Sequence, residues 1–262
     1  DQLLKRLWQK FGLDKHSSLA LIAVGGYGRH ELHPHSDIDI LVLSQKNITP
    51  QQGETISQFL TLLWDLRLDI GHAVRTLKEC TQQGKEDITV ATNLLESRLI
   101  CGSDQTFDTL QDAIQPSKFW PSDAFFRAKR EEQTLRHQQY QETAFLLEPD
   151  VKSNPGGLRD IQIITWIARR QYGAMSLQEM TSFGFLNKAE YLELQDCQNF
   201  LWRVRFALHL AIQKNDNRLL FDRQRIVAKM LGYPGEGNAP VEQMMKRFFQ
   251  TVRRITELNE ML

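Results

Sequence analysis

Two carboxylates two residues apart at the head of a strand constrain this chain more than any other feature. In Asp37-Ile-Asp-Ile-Leu-Val-Leu43 the apolar residues Ile38, Ile40 and Val42 alternate with Asp37, Asp39 and Leu41. A period of two is that of a β-strand. Residues i and i+2 project from one face with Cα atoms about 6.5–7 Å apart, so Asp37 and Asp39 form a pair able to hold a hard divalent cation. The run Leu19-Ala-Leu-Ile-Ala-Val24 precedes it and is closed by Gly25-Gly26, which predicts a buried strand ending in a tight turn.

Further strand and helix signals complete a small α/β domain. Ile56, Phe59, Leu60, Leu63 and Trp64 recur at helical spacing within 51–64, and 68–77 returns to a strand-like run. The domain is expected to end with a helical stretch from Ile88 to Arg98 and a turn at Cys101-Gly-Ser. Gln115-Pro and Trp120-Pro mark a joint, which divides the chain into 1–114 and an all-helical domain, 115–262, packing on it. In the second part Ala124–Tyr140 is charged and helical, and Asn154-Pro-Gly-Gly157 launches an amphipathic helix from Leu158 to Tyr172, stopped by Gly173. Asn187 with Glu190 forms a capping box for a helix running through Leu210. Val241, Met245, Phe248, Val252, Ile255 and Leu262 line one face of a last helix.

Composition excludes several classes. The longest apolar run falls well short of the roughly 20 residues of a membrane span, and no signal-peptide pattern precedes it. Lys+Arg and Asp+Glu are equal at 32 each in 262 residues, so no global field favours nucleic acid or an anionic membrane. Any phosphate site must be local. Between Leu201 and Arg225 six Lys/Arg face two Asp, with Trp202, Phe206 and Phe221 interleaved; the aromatics are expected in the core. Cys80, Cys101 and Cys197 are far apart and outside any CxxC pattern, which points to free thiols in a reducing cytoplasm. A start at Asp1 and an end inside a helical pattern suggest a piece of a longer protein.

The order strand, Gly-Gly, short connection, Asp-x-Asp strand suits phosphoryl chemistry. Paired carboxylates hold metal ions that grip the attacking and leaving oxygens of a displacement at phosphorus, with Mg²⁺ as the expected cation. Gly25 and Gly26 lack Cβ atoms and let a triphosphate approach their N–H groups. Arg29 offers a forked donor to phosphate oxygens, and Ser36 a hydroxyl beside the metal. A Rossmann fingerprint fails, because Gly26-Tyr-Gly28-Arg-His-Glu31 has Glu where the third glycine belongs; a Walker loop fails for want of Gly-Lys-Ser/Thr. His30, His33 and His35 crowd one loop, a poor tetrahedral zinc cage. Asp69 or Asp65 stands as a third carboxylate, and the sequence does not choose between them. Lys152, Asn154, Arg159 and Asp160 surround the Pro-Gly-Gly turn and stand equally as ligand contacts or as parts of a turn between helices.

The segment from Gly25 to Ile40 resembles the signature of the DNA-polymerase-β-type nucleotidyltransferase superfamily, in the form found in the bacterial bifunctional uridylyltransferase/uridylyl-removing family. The similarity continues through Gly71–Thr76, Asp87–Arg98, Glu148–Asp160 and Asn217–Asp222, with Ala73 where that family generally shows Ser. The resemblance implies an α/β (α+β) nucleotidyltransferase domain with a small mixed sheet, followed by the helical domain. It also implies Mg²⁺- or Mn²⁺-dependent transfer of UMP from UTP to a tyrosine of the nitrogen-signalling protein PII, releasing pyrophosphate. Asp37 and Asp39 would be catalytic metal ligands, with Gly25, Gly26, Arg29 and Ser36 around the nucleotide. HD and ACT domains are implied for the longer chain, and nothing here resembles them. The competing readings are a related transferase with another acceptor and a catalytically silent module binding nucleotide or PII.

Overall fold

β1 (Leu19–Ala23) is the strand about which the first half is built; all five of its residues are buried. A computed structural model describes residues 1–140, 145–173 and 178–261. Contacts divide the chain into two units, one of Asp1–Leu32 with Ser36–Pro121 and the other of His33–His35 with Ser122–Leu262.

In the first unit α1 (Gln2–Lys10), β1, α2 (Gly25–Gly28), β2 (Ile38–Ser44), α3 (Pro50–Asp65), β3 (Ile70–Thr76), α4 (Leu77–Glu86), α5 (Ile88–Leu95), β4 (Arg98–Gly102) and α6 (Asp104–Ala113) follow in order. The sheet order is β3-β2-β1-β4, with β1 antiparallel to both neighbours and β2 parallel to β3. The crossover that parallel strands require is α3. Its start is fixed by a capping box, in which Thr49 Oγ1 accepts from Gln52 N at 3.2 Å and Gln52 Oε1 accepts from Thr49 N at 3.0 Å, with Pro50 in the first turn. Leu21, Ile40, Val42 and Ile100 of the sheet join Leu7 and Trp8 of α1 and Phe59 and Leu63 of α3 in one core; α6 packs on β1 and β2. The exposed end of β2 carries Asp39, and from Ile40 onward the strand is buried.

Three expectations are corrected here. Gly25-Gly26 opens a single helical turn rather than a tight turn: Gly28 N and Arg29 N donate to Val24 O and Gly25 O at 3.0 and 3.1 Å. The helix from Ile88 stops at Leu95, and Arg98 through Gly102 is an edge strand, because Leu99 and Cys101 pair with the free side of β1. Gly102, at φ +100°, sits so close to Leu19 that a Cβ would lie 2.5 Å from its carbonyl oxygen. Leu68 and Asp69 precede β3 rather than belonging to it.

The second unit contains α7 (Ser122–Gln139), α8 (Leu158–Tyr172), α9 (Glu179–Ser182), α10 (Lys188–Ile212), α11 (Phe221–Met230) and α12 (Ala239–Glu260). α8 is buried on almost every side and ends at Gly173 with φ +71°, the left-handed cap glycine favours. The Asn187 box caps α10, with Asn187 Oδ1 accepting from Glu190 N at 3.0 Å and Glu190 Oε2 from Asn187 N at 2.8 Å. Met245, Phe248, Val252 and Ile255 face the core from α12, with Val241 packed against them; Leu262 lies outside the described residues. Trp202 packs against the same core, but Phe206 and Phe221 are exposed. The buried stripe of α10, Leu201, Val204 and Leu208, leaves Phe206 on the opposite side, and Phe221 is the first residue of α11.

One buried carboxylate organises this unit. Asp160, fully buried, accepts from Gly156 N at 2.7 Å, Gln133 Nε2 at 2.9 Å and His137 Nε2 at 3.1 Å, and pairs with Arg136. Burial opposes its ionisation, but His137, Arg136 and Gln133 outweigh that and hold its pKa below the carboxylate range. Asp160→Ala is therefore expected to lower stability by about 3–5 kcal/mol, because it strands buried donors and a charge, read as a fall in Tm. Folding lowers this pKa below its unfolded value of about 3.9, so the stabilisation is complete above that pH and fades as pH falls toward the folded value. The Tm gap between wild type and Asp160→Asn should accordingly shrink at pH 3 relative to pH 7.

Candidate active site

β2 delivers Asp39 to a seat made by two glycines. Parallel pairing sets Asp39 beside Gly71 of β3, and on the other side Val24 N donates to Asp39 O at 3.0 Å. A Cβ on Gly71 would lie 2.3 Å from Asp39 Oδ1, and one on Gly25 would lie 3.0 Å from Oδ2. The carboxylate thus occupies space that side chains at 25 and 71 would fill. Gly25 itself has φ +57°, a conformation glycine adopts without strain.

Asp37 is exposed one residue before β2, on the face of Asp39 by alternation. Between it and the preceding turn, Ser36 carries a buried Oγ with no hydrogen-bond partner among the described residues. Two carboxylates and a hydroxyl form an all-oxygen donor set, the kind that suits Mg²⁺ or Mn²⁺.

The third carboxylate does not come from within β3. Gly71, Ala73 and Arg75 share the Asp39 face by register, and none is acidic. Asp69 is exposed just before β3, and its carbonyl accepts from Ile38 N at 2.7 Å, which places it beside the start of β2; Asp65 is the exposed last residue of α3. Among the described residues no three acidic, histidine or cysteine side chains converge as a metal cluster.

Arg29 is engaged on two sides. Its Nε donates to Glu31 Oε2 at 2.7 Å and its Nη1 pairs with Glu96. Burial works against its charge, but Glu96 and Glu31 more than compensate and raise its pKa. Nη2 points toward Gly26, 3.8 Å from where a Cβ there would stand. The guanidinium therefore braces the turn that presents Gly25 and Gly26.

A cavity of about 280 Å³ opens at Asp39, lined by Gly71, Ala73, Arg75, Val90 and Asn93 among others. Arg75 and Asn93 escaped the sequence reading as site residues. The parity Gly71, Ala73, Arg75 was the available signal for the first; Asn93 reaches the site from a helix, where strand parity says nothing.

The Pro-Gly-Gly turn of the second unit is built for packing. A Cβ on Gly156 would lie 2.2 Å from Val252 O, and Asn154 Oδ1 accepts from Asp150 N at 3.0 Å. The segment 148–160 meets 217–222: Val151 N donates to Asn217 O at 2.9 Å, Leu219 N to Pro149 O at 2.8 Å and Phe221 N to Glu148 Oε1 at 2.8 Å.

A family model described as GlnD PII-uridylyltransferase matches residues 124–262, and one for the nucleotidyltransferase domain matches residues 1–100. The chain is 59% identical over its whole length to a bifunctional uridylyltransferase/uridylyl-removing enzyme of Vibrio atlanticus and 60% identical to that of Vibrio cholerae. It spans 30% of the length of either relative. A spectinomycin adenyltransferase from Enterococcus faecialis, solved with ATP and spectinomycin, aligns over 95% of this chain and 96% of its own at 16% identity, with a TM-score of 0.34. The first unit has the nucleotidyltransferase fold.

Gly71→Ala tests the seat of Asp39. The added methyl displaces the carboxylate without disturbing the backbone, so Tm should stay within a few degrees of wild type while Mn²⁺ affinity, measured by electron paramagnetic resonance, falls about 10–100-fold.

Proposed function

The chain belongs to the GlnD PII-uridylyltransferase family, and on that premise we propose that it transfers UMP from UTP to a tyrosine hydroxyl of PII, releasing pyrophosphate. The observation that carries this reading is the Asp39 carboxylate, seated between Gly25 and Gly71 at the mouth of a cavity, with Asp37 two residues away on the same face. In this reading residues 1–114 carry the chemistry and 115–262 form a helical domain that follows in the chain.

Asp37 and Asp39 would hold Mg²⁺ or Mn²⁺, with the Ser36 hydroxyl beside them. The cation supplies two things when bound: it eases deprotonation of a phenol whose ordinary pKa is near 10, and it balances charge growing on pyrophosphate. The remaining work belongs to the chain. Gly25 and Gly26 let the triphosphate come against the backbone, and Arg29 holds that turn with one edge of its guanidinium toward Gly26. The cavity walls orient the reactants for in-line attack, and positioning of this kind supplies much of the rate in phosphoryl transfer.

We place the reaction in the cytoplasm. All three cysteines are free, and burial pushes the thiols up, Cys80 to about 12 and Cys101 and Cys197 to about 11, so they stay protonated and unreactive. No helix among the described residues is long and apolar enough to cross a membrane. The uridylyl-removing activity in the relatives' name, and the HD and ACT domains the resemblance implies, are assigned to none of these 262 residues.

Transfer of label from α-labelled UTP to purified PII, run beside ATP, CTP and GTP, tests the proposal. Label should enter PII from UTP alone and only with divalent cation, and Asp37→Asn or Asp39→Asn should cut the rate at least about 100-fold with Tm nearly unchanged. Full activity in the double Asn variant would overturn the assignment, and preferential use of another nucleotide would overturn the substrate.

A further inference from the structure

His209 is fully buried on α10, and both of its ring nitrogens meet carbonyl oxygens. Nδ1 contacts the backbone carbonyl of Pro34, and Nε2 lies 3.1 Å from Oδ1 of Asn217. Arg205 fixes which Asn217 atom this is: its Nε, a donor only, is 2.8 Å from the same Oδ1. A neutral imidazole carries one N–H and a protonated one carries two; in either form His209 can donate through Nδ1 to Pro34, and Arg205, Asn217 and His209 stand in a row, a latch that closes on a backbone carbonyl. His33 lies edge-on to His209 with ring centroids 6.2 Å apart.

The carbonyl that is held belongs to the signature loop. Pro34 stands three residues before Asp37, and His33–His35 count with the second unit although Leu32 and Ser36, on either side, count with the first. His35, between Pro34 and Ser36, has φ +59°, a left-handed conformation uncommon outside glycine. A loop leaving through such a residue takes its direction from where Pro34 is anchored.

We propose that His209 is a positioning residue for nucleotidyl transfer: by holding the Pro34 carbonyl it sets the path by which the chain enters Ser36, Asp37 and Asp39, and Asn217, oriented by Arg205, holds His209 in that pose. The proposal rests on the reading of Asp37 and Asp39 as metal ligands. It gives a role to Asn217, whose side-chain oxygen meets Arg205 and His209. Charged and titratable groups face the latch from each neighbouring segment: Arg205 on α10 itself, His33 and His35 on the loop, and Lys152 on the turn before α8. Burial, Arg205, His209 and Lys152 together push His33 down to about 3, so His33 is neutral at physiological pH and adds no charge beside the latch. Burial also pushes His209 below the ordinary imidazole value, with its two hydrogen bonds pulling the other way.

Three variants of the chain test the latch: His209→Ala, His209→Gln and Leu208→Ala. Leu208, the next residue on α10, is equally buried but lies in the helical core, so its truncation is the control for loss of stability alone. Mn²⁺ affinity is read by electron paramagnetic resonance with UTP present, and transfer from labelled UTP to PII as a function of Mg²⁺. His209→Ala should weaken Mn²⁺ binding and raise the Mg²⁺ requirement about tenfold, lowering kcat more than it alters KM for PII, as misplacement of ligands by a fraction of an ångström does. His209→Gln, which keeps an amide donor near the Pro34 carbonyl but not the ring's reach, should fall between. Leu208→Ala should lower Tm and leave both metal readouts within about twofold of wild type. Wild-type metal dependence in His209→Ala, or an equal shift in Leu208→Ala, would overturn the proposal. Absence of transfer in the wild type, with the Mn²⁺ shift still present in His209→Ala, would refute the transfer reading and leave the latch standing.

Discussion

β2 must begin in water and end in the core, and the rest of the first unit follows from that requirement. Asp39 lies at its open end, whereas Ile40 through Leu43 are almost without exposure. A carboxylate one residue from a packed interior is costly unless its surroundings are arranged for it. Two glycines on the flanking segments give it room, and the cavity keeps its oxygens reachable. The antiparallel partner β1 contributes one glycine through the helical turn at its end, and the parallel partner β3 contributes the other through register. Mixed sheet topology and the candidate chemistry are consequently the same fact seen at two scales.

The second unit solves a similar problem differently. Its fully buried carboxylate, Asp160, is surrounded by donors from α7 and from the turn before its own helix. Opening the site to solvent would remove its purpose, since here the charge is a fastener. Two carboxylates, Asp39 and Asp160, thus sit in opposite circumstances, one given space and the other deprived of it.

Much of this was legible in local pattern. Alternation located β2, the apolar run located β1, and Asn187 with Glu190 placed the start of α10. The candidate site was legible where its residues are neighbours in sequence, from Gly25 to Asp39. What escaped depends on partners far along the chain. β4 reads as the tail of a helix until the free edge of β1 claims it, and α11 starts where a glutamate 73 residues earlier caps it. Arg29 looked available from its position after the glycines, yet Glu31 and Glu96 take two of its donor positions. Asp160 read as one of the residues around the Pro-Gly-Gly turn, and only tertiary packing makes it a buried hub. Phe206 and Phe221 read as core because a balanced charge argues against a nucleic-acid surface, yet Phe206 lies on the exposed side of α10 and Phe221 at the start of α11.

The seat of Asp39 is assembled from chain segments 14 residues before it and 32 residues after it. No short peptide spanning the signature can contain it, and the unfolded chain has no version of it. Closing the crossover between β2 and β3 costs loop entropy before the pairing returns any energy, so the seat is complete only when the sheet is. Any ligand that requires the seat binds the folded unit and ignores the unfolded one, and mass action then couples its concentration to the fraction of molecules folded. Cellular levels of such a ligand would set the lifetime of the first unit as well as its occupancy.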